Sequence, residues 1–284
     1  MFSKSISYTK SNLVPIKIFY RFMDICINLM RSLRIYKVIY NISLVLMNAV
    51  NRKKLLKFYS RFVKKDDLCF DIGANFGRRT EIFLKLGARV VAVEPQDACM
   101  QGLQKKYGNN KRVILIKKAI SDNHGEEELM ISDSHTLSSM SKEWIDSIKS
   151  SNMFFVSTQA FSWQKSVKVQ VTTLNQLIKE YGKPAFCKID VEGYEYKVLK
   201  GLSDPIRVVS FEFTPTQEFI LLAINTIEHL ASIGEVKFNY SFGESISLVL
   251  NEWVGPDDIS NILSNLPKRT PISGDIYARF ISEK

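Results

Sequence analysis

From Asp66 onward, short runs of β-branched and aromatic residues alternate with stretches whose apolar positions recur every three or four residues. The runs predict strands at Leu68–Ile72, Val90–Glu94, Val113–Lys117, Ala185–Ile189 and Val208–Phe213, the first of them a nearly unbroken apolar block of the kind that is buried on both faces. Helices are predicted between them. One covers about 78–86, with Ile82, Phe83 and Leu86 apolar and Gly87 as its stop, and one opens near Asp97 and carries Met100, Leu103 and Tyr107 to Gly108. A third runs from a Thr173 cap through Leu174, Leu177, Ile178 and Tyr181 to Gly182; a short one ends at Gly201, and a longer one covers about 216–232. Weaker strand patterns lie at Val236–Tyr240, Ile246–Leu250 and Ile276–Ile281. Strands alternating with helices predict an α/β fold, a mostly parallel sheet with helices on both faces. Such sheets bind ligands beyond the carboxyl ends of their strands, so the residues that end strands are the informative ones.

The first 65 residues read differently. They hold fourteen Lys and Arg against one acid, Asp24, whereas 66–284 holds twenty-five basic and twenty-eight acidic residues, so the whole net charge of +10 originates in the first quarter. Two parts follow, a basic extension over 1–65 and a main domain over 66–284. Helical spacing is visible in Phe22, Ile25, Leu29 and Leu33 and in Ile35, Ile39 and Ile42. The extension fits a helix docked on the main domain, a surface helix whose basic side meets anionic lipid, or a nucleic-acid contact in which Phe58, Tyr59 and Phe62 alternate with Lys57, Arg61, Lys64 and Lys65. Its longest uncharged run, Val38–Asn51, is shorter than the roughly 20 residues a spanning helix needs. No signal-peptide layout is present, so the expectation is a cytoplasmic protein that the extension could hold at the inner face of a membrane. Four cysteines without a C-x-x-C pair and three scattered histidines argue against a structural zinc site and fit a reducing compartment.

The candidate chemistry sits at strand ends. Leu68–Ile72 runs into Asp71-Ile72-Gly73-Ala74-Asn75-Phe76-Gly77, where two glycines permit a tight turn and close approach of a ligand. Glu94, twenty-one residues after Gly73, ends the next strand and is placed to accept both ribose hydroxyls of an adenosine group. The spacing is not G-x-G-x-x-G, because Asn75 and Arg78 stand at the second and third glycine positions, and no P-loop occurs. Asp71 would repel a pyrophosphate and suits a cation, which favours S-adenosylmethionine with its sulfonium over a dinucleotide. Ser121-Asp122 follows the third strand as a candidate adenine contact, and Lys188-Ile189-Asp190-Val191-Glu192-Gly193 ends the fourth near the reacting methyl. Glu192 and Glu195 also occupy the first turn of a helix, where acids are favoured without any chemistry.

D-I-G-A-N-x-G at 71–77, E-P at 94–95, A-I-S-D at 119–122 and K-I-D-V-E-G-Y-E at 188–195 resemble the FkbM methyltransferase family, in order and spacing over about 67–215. The resemblance implies a Rossmann-like class I methyltransferase with a seven-stranded sheet, using S-adenosylmethionine to methylate a hydroxyl of a sugar or other natural product. It assigns Asp71, Gly73, Asn75 and Gly77 to the methionine part, Glu94 to the ribose and Ser121 and Asp122 to the adenine, and it turns Asp190 and Glu192 toward the reaction. Val93 and the Arg78-Arg79 pair depart from the family's usual residues; the arginines fit an anionic substrate or simply an exposed helix start.

A hydroxyl must lose its proton as the new bond forms, so a base or a metal is required. Asp190 and Glu212, ending the fourth and fifth strands, are candidates for the base or for ligands to a divalent cation, and His135 is a second candidate base or a surface histidine. The stretch 132–165, with Trp144, Phe154, Phe155, Phe161 and Trp163 among serines, is expected to form a lid whose aromatics stack on a sugar or pack the lid down. The partners expected are a small-molecule or glycan hydroxyl acceptor and an anionic membrane surface. A nucleic-acid methyltransferase is the alternative, although no [DN]-P-P-[YFW] follows the fourth strand. A non-catalytic module that binds S-adenosylmethionine is a further one.

Overall fold

The computed structural model describes residues 52–150, 162–243, 247–266 and 273–281. The helices expected within 1–51, together with Phe154, Phe155 and Phe161, lie outside the described residues.

After a helix over 52–59 (α1), the order is β1 (Leu68–Ile72), α2 (Arg78–Lys85), β2 (Arg89–Val93), α3 (Asp97–Tyr107), β3 (Val113–Ile116), β4 (Ala119–Ile120) and β5 (Gly125–Ile131). Then come a 3-10 turn (His135–Leu137), α4 (Lys142–Ser150), β6 (Lys165–Thr172), α5 (Leu174–Tyr181), β7 (Phe186–Ile189), α6 (Glu195–Lys200), β8 (Val208–Phe213), α7 (Gln217–Ser232), β9 (Val236–Phe242), α8 (Pro256–Ser264) and β10 (Gly274–Phe280). Seven strands form one sheet in the order β3-β2-β1-β7-β8-β10-β9. All neighbours run parallel except β10, which is antiparallel to both β8 and β9. The chain builds outward from β1 in both directions, so the crevice between β1 and β7 is a switch point in strand order.

The core strands are buried because each face meets a layer of helices. Ile72, Val91, Ile189 and Phe211 pack under Leu177, Val198, Ile227 and Ile259, while Cys69, Val90, Ala92 and Phe186 pack under Ile82, Phe83, Met100 and Leu103. The second layer contains a correction to the sequence reading. Phe58, Tyr59, Phe62 and Val63 are buried, and Phe62 stacks on Tyr277 and Phe186 with centroids 5.6 and 5.8 Å apart. The compact unit therefore begins at Leu55, not Asp66, and these aromatics cannot stack on bases.

A second sheet, β4-β6-β5, was not expected from the pattern. Residues 247–250 are not a strand; Val254 instead makes a single bridge to Phe238. Inside the expected lid, α4 forms because Ser141 accepts the Trp144 N–H at 3.0 Å as an N-cap and because Trp144, Ile145 and Ile148 share one buried face. No described helix is long and apolar enough to cross a membrane.

Candidate active site

A crevice of about 400 Å³ opens at the carboxyl ends of β1, β2, β7 and β8. Its floor is the turn after β1. Gly73 has φ +78°, and a Cβ there would lie 1.9 Å from the Asp190 carbonyl oxygen, so the turn and the loop after β7 touch backbone to backbone. Asn75 is held at φ +49°, its N–H donating to Glu94 Oε2 at 2.8 Å. Asp71 is buried and accepts the Thr80 hydroxyl at 2.5 Å. Burial pushes its pKa up, and Thr80 and the Arg79 charge hold it back. Glu94 Oε1 accepts the Gln96 N–H at 2.8 Å, so each carboxylate oxygen receives one backbone donor and keeps further acceptor capacity toward the crevice. Burial raises the Glu94 pKa, and these two N–H groups oppose it.

Three of the expected cofactor contacts are displaced. Gly77 faces α3: a Cβ there would strike the Tyr107 ring at 2.7 Å, and its carbonyl accepts the Tyr107 hydroxyl at 3.1 Å. Ser121 is fully buried and donates to Glu127 at 2.6 Å, while Asp122 pairs with Lys197 and Lys200 at 3.5 Å each. Neither Ser121 nor Asp122 lines the crevice, whose wall there is Lys118, Ala119, Ile120 and Leu129. The reason is β4, which pairs with β6 and turns the residues after Ile120 into the small sheet.

Asp190, Glu192 and Glu212 do converge, with one carboxylate oxygen from each lying within 4.8 Å of the others. Burial, then repulsion from Glu212 and Asp190, drives the Glu192 carboxyl well above the ordinary carboxylate range. Burial and Asp190 do the same to Glu212. Glu192 sits at φ +55°, an unusual position for a side chain with a Cβ, and its carbonyl accepts the Ser139 hydroxyl at 2.6 Å. Beneath the acids lies Lys188, buried on β7, whose Nζ reaches Asp275 at 2.8 Å and Asp190 at 3.4 Å. Burial alone would lower its pKa, but Asp190 and Asp275 outweigh that and hold the ammonium charged. Glu195, tucked behind, accepts the Val191 N–H at 3.0 Å and is pushed up to about 7 by burial. Cys69 and Cys187 are buried, and burial raises both thiols, so neither is a nucleophile.

A strap over 132–141 crosses the crevice. Gln96 donates to the His135 carbonyl at 3.1 Å and accepts the Ser138 hydroxyl at 3.0 Å on the Glu94 side, while Ser139 holds Glu192 on the other. Trp144 then pins the strap. Its indole donates to Thr214 at 3.1 Å, and its ring fills the space a Gly193 Cβ would occupy, 2.3 Å away. Trp144 is therefore a packing residue, and Trp163, donating to the Leu137 carbonyl at 2.7 Å, ties the strap to itself. His135 is exposed at the mouth, edge-on to Phe76 with centroids 5.4 Å apart. Gln96 and the strap serines were missed in the sequence, although Gln96 stands only two residues beyond Glu94.

Carboxylates from Asp71, Glu94, Asp190, Glu192 and Glu212 line this crevice. A diphosphate would meet several of them, whereas a sulfonium cation and a ribose diol fit the set. A family model, "Methyltransferase FkbM domain", matches residues 71–252. No curated protein sequence is a significant match. Among solved structures, a precorrin-6Y C5,15-methyltransferase from Geobacter metallireducens superposes with a TM-score of 0.40 and 11% identity, covering 82% of this chain and 87% of that one. Aeropyrum pernix fibrillarin with natively bound S-adenosyl-L-methionine gives 0.39 and 11%, over 76% and 68%. These likenesses are too distant to bear on the acceptor. The family match, by contrast, spans the glycine turn and the strand-end acids Asp71, Glu94, Asp190 and Glu212, and the chain belongs to the FkbM family of S-adenosylmethionine-dependent methyltransferases.

Proposed function

We propose that the protein methylates a hydroxyl oxygen of a sugar, glycolipid or similar polyhydroxylated natural product. The observation that carries this reading is the convergence of Asp190, Glu192 and Glu212 at the end of the crevice, beside the Gly73 turn. When bound, S-adenosylmethionine supplies an electrophilic methyl on a sulfonium, which needs no further activation. What the protein must do is align the acceptor oxygen and receive its proton. Glu94 holds the ribose hydroxyls through its remaining acceptor positions, and Asp71, with the backbone of Gly73 and Asn75, receives the amino-acid end. Ala119, Ile120 and Leu129 pack the adenine. The acid cluster takes the hydroxyl proton directly; were Asp190, Glu192 and Glu212 instead to hold a divalent cation of the magnesium type, the ion would lower the hydroxyl pKa and the proton would pass to solvent. Lys188 holds Asp190 in place from below. The strap covers the crevice and excludes water.

The test is transfer of labelled methyl to fractionated cellular glycans and glycolipids, with alkaline treatment to separate stable methyl ethers from labile esters. Alkali-stable label in a glycan or glycolipid fraction, lost at least a hundredfold in Asp190→Asn while donor affinity is retained, is the expected result. Label found only in nucleic acid or protein would overturn the reading.

A further inference from the structure

At the opposite end of the sheet from the crevice lies a second concavity, of about 590 Å³. It is bounded by Arg61 and Lys64 after α1, Arg207 and Val208 at the start of β8, Arg279 near the end of β10, and Trp253. Among the described residues no acid lines it. Arg207 is committed to the fold, reaching Asp67 at 2.6 Å and the Phe62 carbonyl at 2.7 Å. Arg61, Lys64 and Arg279 are exposed, and the Arg279 guanidinium lies over the Trp253 ring at 4.4 Å. Apolar side chains are also turned outward beside it: Val249, between the lining residues Leu248 and Leu250, is 45% exposed, and Ile281, two residues beyond Arg279, is 41% exposed.

We propose that this basic face docks the domain on an anionic phospholipid surface. Two observations choose lipid over nucleic acid. Cations alternate here with a tryptophan and exposed aliphatic side chains, which suits the headgroup boundary, where charge is attracted and small apolar groups insert. The aromatics that a nucleic-acid strand would stack on, Phe58, Tyr59 and Phe62, are buried in the core. Val208 lines the groove and Glu212 the acid cluster, four residues apart on β8 or about 13 Å along it, so the two sites open at opposite ends of one strand. The face is an anchor and not an acceptor site. Residues 1–51 hold seven Lys and Arg and one acid.

The experiment is flotation of the full chain with phosphatidylcholine vesicles, alone or mixed with phosphatidylserine. Each basic side chain held at an anionic surface changes partitioning roughly fivefold, so R61Q/K64Q/R279Q is expected to lower binding to the mixed vesicles about a hundredfold. R61Q/K64Q, which leaves the Trp253 stack intact, should lower it about twentyfold by the same measure. A charge-matched control, K142Q/K168Q/K179Q, removes the same charge elsewhere and should lie within about threefold of the parent, and all variants should retain the thermal shift given by S-adenosylmethionine. Equal losses in both triple variants would reduce the effect to net charge and overturn the proposal. So would absence of binding by the parent chain, or undiminished vesicle binding in a groove variant that has lost affinity for a single-stranded RNA oligonucleotide.

Discussion

Glu94→Gln gives the sharpest test of the donor site, because the substitution conserves shape and removes only charge and one acceptor. Glu94 Oε2 takes the Asn75 N–H and Oε1 takes the Gln96 N–H, both at 2.8 Å. Whichever way a glutamine amide is turned, its NH₂ faces one of those backbone donors, and a buried N–H loses its acceptor. That costs folding about 1–3 kcal/mol. Loss of a charge-assisted contact to the ribose hydroxyls costs about 1.5–3 kcal/mol more in the complex, which weakens donor affinity about tenfold to a hundredfold. Calorimetric titration with S-adenosylmethionine measures the second effect and urea unfolding without ligand the first. The two must be compared on protein that is folded by near-UV circular dichroism. Donor affinity within about threefold of the parent would refute the ribose role for Glu94. Full stability with lost affinity would show that the turn tolerates the amide, and would refute the argument from the two backbone donors.

Glu195 has a folded-state pKa raised to about 7 by burial, so its contribution to stability is complete below the unfolded value near 4.3 and is lost as pH rises through 7. Glu195→Gln is expected to gain about 2–3 kcal/mol relative to the parent between about pH 5 and pH 8 in urea unfolding, and a pH-independent difference would disprove the assignment. Gly193→Ala puts a Cβ 2.3 Å from the Trp144 ring at φ +88°, which should cost about 2–4 kcal/mol and raise the exposure of Trp144. An unchanged unfolding midpoint and tryptophan emission would show that the strap is not pinned there.

What was legible in the sequence follows from range. Strands β1, β2, β7 and β8 announce themselves as apolar blocks, and α5 by its Thr173 cap, which accepts the Gln176 N–H at 3.1 Å. Polar residues that interrupt such blocks mark strand ends, which is why Asp71, Glu94, Asp190 and Glu212 could be singled out and do border one crevice. The same pattern misled at Ser121-Asp122, because a polar pair after a strand does not say which way its side chains turn; pairing of β4 with β6 decides that. β5 opens Gly-Glu-Glu-Glu, with no alternation to betray a strand, and it is held by β6 instead of by its own pattern. The aromatic face of α1 was hidden by its lysines and arginines, and the Lys188–Asp275 pair joins residues 87 positions apart. Such contacts belong to the tertiary structure alone.

The acid cluster can serve a hydroxyl acceptor only if its charge is managed. One buried ammonium, Lys188, lies under the cluster, and it is shared with Asp275. The remaining repulsion appears as the raised pKa values of Glu192 and Glu212, so the cluster retains a proton where an exposed glutamate would not. A carboxylate that holds its proton more firmly is a stronger base once it has lost it, at the expense of the fraction ready to act at a given pH. Activity by the direct route therefore rises with pH through the titration of the cluster. A divalent cation would displace that proton, lower the same pKa values and move the rising limb to more acidic pH. The two roles of one set of oxygens thus predict different responses to added magnesium. In the direct route the limb stays where it is, and in the metal route it shifts down.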